Sequence, residues 1–243
     1  MSTFIDNLKK IEKGEITPIG FRRAGTDTLK KRIQLVAAAS PENSGSTAGA
    51  DAVLVEVTGK VTAEMLKNVP KTMPWGARLM TVNGNDIPKM VDAGCDFFVF
   101  TPDTPVTLVE DAKAGKILAV DITVADSLYR TLIDLPVDAL MIELPAANET
   151  ITWQDLMLVQ KFGVIPGKPL FVHSAVKLSA AELEALWCAG VNAVVAENNL
   201  EDIRKEIEKA DFRKKSKADK KEPVLRQSVN AGFDDADDDD FDE

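Results

Sequence analysis

Four segments of the chain repeat one phrase, a Gly or Pro two residues before Asp or Asn and then an apolar run: GADAVLVEV, GCDFFVFTP, PVDALMIEL and GVNAVVAEN. Between them stand four runs led by a basic residue, RIQLVAAAS, RLMTVN, KILAVD and KPLFVH. Self-similarity of this kind constrains architecture more than local propensity does. Each run is short enough for a strand and is followed by a segment with helical spacing, the alternation of a parallel sheet. The runs place strands at 33–39, 52–57, 78–82, 97–101, 117–122, 139–143, 169–173 and 193–197. Eight βα units in about 180 residues predict an α/β fold closed as a (β/α)8 TIM barrel, in preference to an open doubly wound sheet.

Helix boundaries follow from local chemistry. Thr104 before Pro105, Thr152 with Asp155, and Ser179 with Glu182 read as helix starts. Gly94, Gly115, Gly163 and Gly190 read as helix stops. An amphipathic helix over about residues 3–13 is expected to cover the closed end of the barrel, and Ile16–Phe21 reads as an extra extended piece. The Ser/Gly-rich stretch Ser44–Gly49 makes the first βα unit the shortest, a loop or a single turn. The barrel domain is expected to span residues 1–210.

Beyond it, residues 211–226 hold seven bases against three acids, and the last ten residues carry eight acids and no base. Residues 211–243 therefore read as a Lys-rich linker and an acidic tail that cannot bury enough surface to order themselves. Phe233 and Phe241 among the aspartates allow two readings of the tail, a solvated extension or a peptide that docks on a protein partner. With the tail and linker set aside, the net charge of −10 leaves −6 for residues 1–210. No nucleic-acid footprint and no membrane face is expected from that balance. No apolar run approaches the roughly 20 residues that span a bilayer, and the charged start lacks a signal-peptide core, so a cytoplasmic location is expected. Cys95 and Cys188 have no CxxC spacing and read as buried reduced thiols; Trp75, Trp153 and Trp187 read as packing residues.

Strand parity turns the repeat into an expectation about a site. Ala52, Leu54 and Glu56 share one face of their strand while Val53, Val55 and Val57 share the other, and the branched face should pack on helices. Each Glu then points inward at the carboxyl end of its strand, where active sites of this fold lie. Counting five residues on from each anchor gives Glu56, Thr101, Glu143 and Glu197 in one set and Ala37, Asn83, Asp121 and His173 in the other. The expected mouth is acidic: Glu56, Asp121, Glu143 and Glu197, with His173, Asn83 and Thr101 completing the ring. Converging carboxylates repel one another and invite a cation, either a divalent metal (Mg, Mn or Zn) on Glu56, Asp121, Glu143, His173 and Glu197, or a cationic ligand group. Without a metal, one carboxyl with a raised pKa serves as acid beside an ionised base, with Glu56, Glu143, Asp121 and His173 as the catalytic candidates.

AGCDFFVFTPDTP, then a helix and KILAVDITVADSL, resembles the fourth and fifth strands of the keto-deoxy-phosphogluconate aldolase group of phosphate-binding TIM barrels, as does EVT at Glu56–Thr58. The resemblance covers roughly residues 50–200 and implies that Glu56 is the acid/base. LMIELPAA resembles the group's sixth strand, but Glu143 stands where the group has its Schiff-base Lys, so the covalent route is not expected. His173-Ser174 and Glu197-Asn198 stand where that group has the Gly-Gly after the seventh strand and the Gly-Ser after the eighth that bind phosphate, and Glu197 would repel the anion.

These observations lead to a lyase or isomerase acting on a small polar metabolite, with no nucleotide cofactor, since no dinucleotide fingerprint or phosphate loop occurs. The alternative is a noncatalytic barrel serving as a binding or scaffold module with an acidic interaction tail. Arg22 and Arg23 would reach the mouth only if their segment folds over it. A homo-oligomer is one of the assembly states left open.

Overall fold

The computed structural model describes residues 2–13, 32–40, 47–110, 112–124, 126–144 and 150–212. Ile16–Phe21, Arg22, Arg23, the first half of Ser44–Gly49 (residues 44–46) and the tail from residue 213 lie outside the described residues.

Eight strands form: β1 (Gln34–Ala39), β2 (Ala52–Thr58), β3 (Trp75–Thr81), β4 (Phe97–Phe100), β5 (Gly115–Val120), β6 (Ala139–Glu143), β7 (Leu170–His173) and β8 (Val191–Ala196). All pair in parallel, in chain order, and β8 closes on β1, so the barrel is complete. The helices are α1 (Thr3–Lys13), α2 (Ala63–Asn68), α3 (Ile87–Asp92), α4 (Val106–Val109), α5 (Asp126–Tyr129), α6 (Thr131–Asp134), α7 (Trp153–Gly163), α8 (Ala180–Cys188) and α9 (Leu200–Lys209). None of the described helices is long and apolar enough to cross a membrane.

Alternation along each strand separates two apolar layers, as the parity reading anticipates. Val53, Val55, Val57, Leu140, Ile142, Val194 and Ala196 pack outward under the helices. Ala52, Leu54, Phe97, Val99, Ile117, Met141, Phe171 and Val195 fill the barrel interior. At its closed end α1 contributes Phe4, Ile5 and Leu8 to that interior, with the Phe4 ring 5.7 Å from Phe97 and 6.1 Å from Phe171. Gly115 makes the close approach of α1 possible, because a Cβ there would stand 2.5 Å from Ile5 and 2.6 Å from Ser2.

The Asp or Asn of the repeated phrase has a structural task at this closed end. Asp51 accepts from the Leu35 backbone N–H at 2.9 Å, Asp138 from that of Lys116 at 3.0 Å, and Asn192 from that of Leu170 at 2.9 Å. Each thus fastens the start of the preceding strand in the barrel. Asp96, the fourth member, instead accepts from Ser2 Oγ at 2.6 Å and from the N–H groups of Thr3 and Phe4 at 2.8 and 2.9 Å, which caps α1.

Several local expectations change. β3, β5 and β8 begin two or three residues before the expected positions. Thr152 and Ser179 form capping boxes with Asp155 and Glu182 as read, but Thr104 caps nothing, and Pro105 takes the N-cap position of the four-residue α4. Gly94 and Gly190 adopt left-handed φ of 87° and 100°, whereas Gly115 opens β5 and Gly163 ends α7 without positive φ. Cys95 is buried, and burial pushes its thiol pKa up to about 12; Cys188 is exposed. Trp153 is 83% exposed and is not a packing residue.

Candidate functional site

The carboxyl ends of the strands raise a polar layer above the apolar interior. Glu56 on β2, Glu143 on β6 and His173 on β7 sit in inward register, with Glu56 level with Arg78 of β3 and Glu143 level with His173. Arg78 is the residue that organises this layer, and it is absent from the expected ring. Its guanidinium reaches across the mouth to hydrogen-bond Glu143 and lies 3.7 Å from Glu56 Oε1. The arginine side chain is 17% exposed, while Glu56 and Glu143 are 48% and 51% exposed. A cation rooted in the barrel floor thus faces two half-exposed acids. A second pair stands on β7 and after β8, His173 Nε2 lying 3.7 Å from Glu197 Oε1.

Asp121 follows β5 and is exposed, but its Oδ1 accepts from the Thr123 N–H at 2.7 Å and from Thr123 Oγ1 at 2.6 Å. The hydroxyl donor foremost, and the N–H after it, hold this carboxyl below its usual range. Asp121 therefore serves its own turn, and no bond joins it to the Arg78 network. Thr101 is half-buried at the end of β4. Asn83 occupies the N-cap position of the 3-10 turn Gly84–Asp86, and Ala37 belongs to the helix-facing layer; neither is part of the ring.

The five residues expected to hold a divalent ion, Glu56, Asp121, Glu143, His173 and Glu197, are not brought together as one ligand set. Among the described residues no group of three or more His, Cys, Asp or Glu side chains stands where it could hold an ion. Between Glu56 and Glu143 the positive charge comes from Arg78.

A cavity of about 660 Å³ opens beside the layer, lined by Ser40, Glu56, Glu197, Asn198, Glu201 and Asp202 among others. Its size is that of a small-molecule site. Glu56 and Glu197 enter it from β2 and from the β8 end, on either side of β1. Each brings a basic partner from the next strand, Arg78 and His173. On the α9 side the first helical turn carries Glu201 and Asp202, which answer the helix dipole themselves and leave no welcome for an anion. Asp202 is held below the usual carboxylate range chiefly by its hydrogen bond from Lys177 at 3.0 Å.

No family model matches the sequence, and no curated protein matches it. Solved structures do resemble the fold. A mutant tryptophan synthase alpha-subunit from the hyperthermophile Pyrococcus furiosus aligns over 72% of this chain and 96% of its own, at 14% identity and a TM-score of 0.53. Tryptophan synthase subunit alpha from Campylobacter jejuni aligns over 77% of this chain and 99% of its own, at 12% identity and a TM-score of 0.51. Mycobacterium tuberculosis tryptophan synthase aligns over 86% of this chain and 96% of that one, at 10% identity and a TM-score of 0.52. At such identities the likeness establishes the (β/α)8 barrel alone. These neighbours are not keto-deoxy-phosphogluconate aldolases, so the finer resemblance drawn from the sequence gains no support from them.

Proposed function

We propose that this barrel is a lyase or isomerase that moves a proton on a small polar, non-phosphorylated metabolite bound in the mouth. Glu56 is the base that takes a proton from a substrate carbon, and the His173–Glu197 pair delivers a proton to the substrate oxygen or leaving group. The supporting observation is that Glu56 and Glu197 line one cavity while each contacts a different basic residue, an arrangement that gives two carboxylates two roles. Glu201 and Asp202 on the cavity wall disfavour phosphate and favour neutral hydroxyl or amino groups. Active sites of (β/α)8 barrels lie at this end of the strands, and the fold shared with the tryptophan synthase barrels adds nothing about the substrate.

Hydrogen–deuterium exchange tests the reading without requiring the physiological substrate. Small hydroxy and keto compounds that raise the melting temperature are incubated with the protein in deuterated buffer, and loss of the substrate C–H signal is followed by NMR. Glu56→Gln is expected to slow exchange about 100-fold or more while its melting temperature stays near that of the wild type. Chelator is expected to leave exchange unchanged. Exchange that survives Glu56→Gln, or that stops with chelator, would overturn this assignment. No ligand and no exchange across the panel would favour the noncatalytic scaffold.

A further inference from the structure

The exposed surface of α7 departs from the rest of a chain in which 28% of residues are charged. Its outward positions are Trp153, Gln154, Met157, Gln160 and Val164 at the C-cap, and none carries a charge. Trp153, Met157 and Val164 are 83%, 73% and 64% exposed. Lys161, the one base on the helix, turns away from this face: its Nζ donates to the Val124 carbonyl at 3.1 Å and lies 5.6 Å from the Tyr129 ring. By contrast the exposed positions of α9 are Glu201, Lys205, Glu208 and Lys209.

Next to α7, helices α5 and α6 add further exposed apolar side chains, set among the exposed Arg130 and Asp134. Tyr129 of α5 meets Phe162 of α7 at 6.0 Å, and Lys168 ties the β7 approach to the Leu132 and Leu135 carbonyls at 2.7 and 2.6 Å. On these neighbours Leu128, Ile133 and Leu135 are 54%, 41% and 39% exposed. Six of the eight exposed large hydrophobic side chains among the described residues therefore gather on one flank of the barrel. Together they present on the order of 600 Å² per copy, against the ~800 Å² that one partner gives to a standard interface.

We infer that this flank is the interface of a two-fold symmetric homodimer in which α7 packs antiparallel against α7 of a second copy. Two features select a second copy as the occupant. The first is charge: a chain of net charge −10 repels its own kind, and the outward positions of α7 oppose no charge to those of a second copy, while the exposed Arg130 and Asp134 on the neighbouring segment sum to zero. The second is the spacing along the helix. About a two-fold axis midway between Met157 and Gln160, Trp153 faces Val164 and Met157 faces Gln160, so each large side chain meets a smaller or more adaptable one. The glutamine amides supply polar partners beside the apolar contacts.

The test uses the full chain in sedimentation equilibrium between about 1 and 50 μM. The wild type is expected to dimerise in that range, and Met157→Lys is expected to weaken the dimer about 30-fold or more, with an unchanged melting temperature for the isolated subunit. Geometry is read separately by disulfide trapping on a Cys188→Ser background. A mixture of Met157→Cys and Gln160→Cys proteins should yield a crosslinked dimer that neither yields alone. A monomeric wild type overturns the proposal, as does a dimer indifferent to Met157→Lys or a crosslink absent from the mixture. A monomer that dimerises only after residues 213–243 are removed assigns the face to that tail and equally overturns it.

Discussion

Arg78 places one positive charge between two carboxylates on strands that do not adjoin, β3 reaching to β2 on one side and across the mouth to β6 on the other. Both acids are half exposed, so solvent screens the pairs and their net contribution is modest. Arg78→Ala is expected to cost about 1–2 kcal/mol in denaturant unfolding, from lost pairing, lost stem packing and the repulsion left between the acids. Adding Glu143→Gln to that variant should recover part of the loss, because one of the two unpaired charges is then gone. If the double variant is as unstable as the sum of the two single ones, the guanidinium is not the link between them. Its absence from the expected ring has a simple cause. RLMTVN looks like a strand with its base just ahead of it, as KPLFVH is, whereas the strand begins at Trp75 and Arg78 is its fourth residue. Count and parity located Glu56, Glu143, His173 and Glu197 because those residues end their runs. Asn83 was misplaced by the same count, since an error in the strand start moves its end as well.

At the scale of elements, the repeated phrase has two separate causes. Its apolar alternation comes from the two-layered packing of a barrel strand. Its Asp or Asn satisfies a backbone N–H at the start of a neighbouring strand in three copies and caps α1 in the fourth, Asp96, tasks that hydropathy does not display. Asn192 is 5% exposed and its amide oxygen serves the buried N–H of Leu170. Asn192→Ala leaves that donor without an acceptor and is expected to cost about 1–3 kcal/mol in urea unfolding, with Asn192→Asp costing less because it keeps the oxygen. Equal losses in the two variants would show that packing, not the hydrogen bond, sets the cost. Capping boxes at Thr152 and Ser179 were legible because the whole device lies within four residues. Gly163 was not legible as what it is. Its role is set by a distant chain segment, since a Cβ there would fall 1.9 Å from the Ala189 carbonyl oxygen where α7 passes the turn into β8.

For the whole molecule, closure ties ionisation of scattered groups to one cooperative transition. On the acid side Asp86, Asp121 and Asp202 have carboxyls held low, chiefly by Lys89, Thr123 and Lys177 respectively, so stability lent by them is full above about pH 4 and lost below it. The alkaline side depends on the barrel core. Cys95 lies at the entry to β4, and burial raises its thiol from 9.0 to about 12, so the unfolded chain releases this proton well before the native one. Between those values the native state binds more protons than the unfolded state, and stability falls with rising pH by about 1.4 kcal/mol per unit. Lys168 acts in the opposite sense, since burial lowers its pKa from 10.5 and relieves a penalty as pH approaches that value. Tyr129, raised by burial from 10.0, adds to the decline above pH 10. The thiol covers the widest window and should dominate. Unfolding free energy measured under reducing conditions at pH 8, 9.5 and 11 is therefore expected to fall more steeply for the wild type than for Cys95→Ala. The cavity left by the substitution adds an offset that does not vary with pH, so the slopes separate the two effects. Parallel slopes would mean that Cys95 ionises in the native barrel as readily as in the unfolded chain, and that the start of β4 opens to water before the rest of the fold gives way.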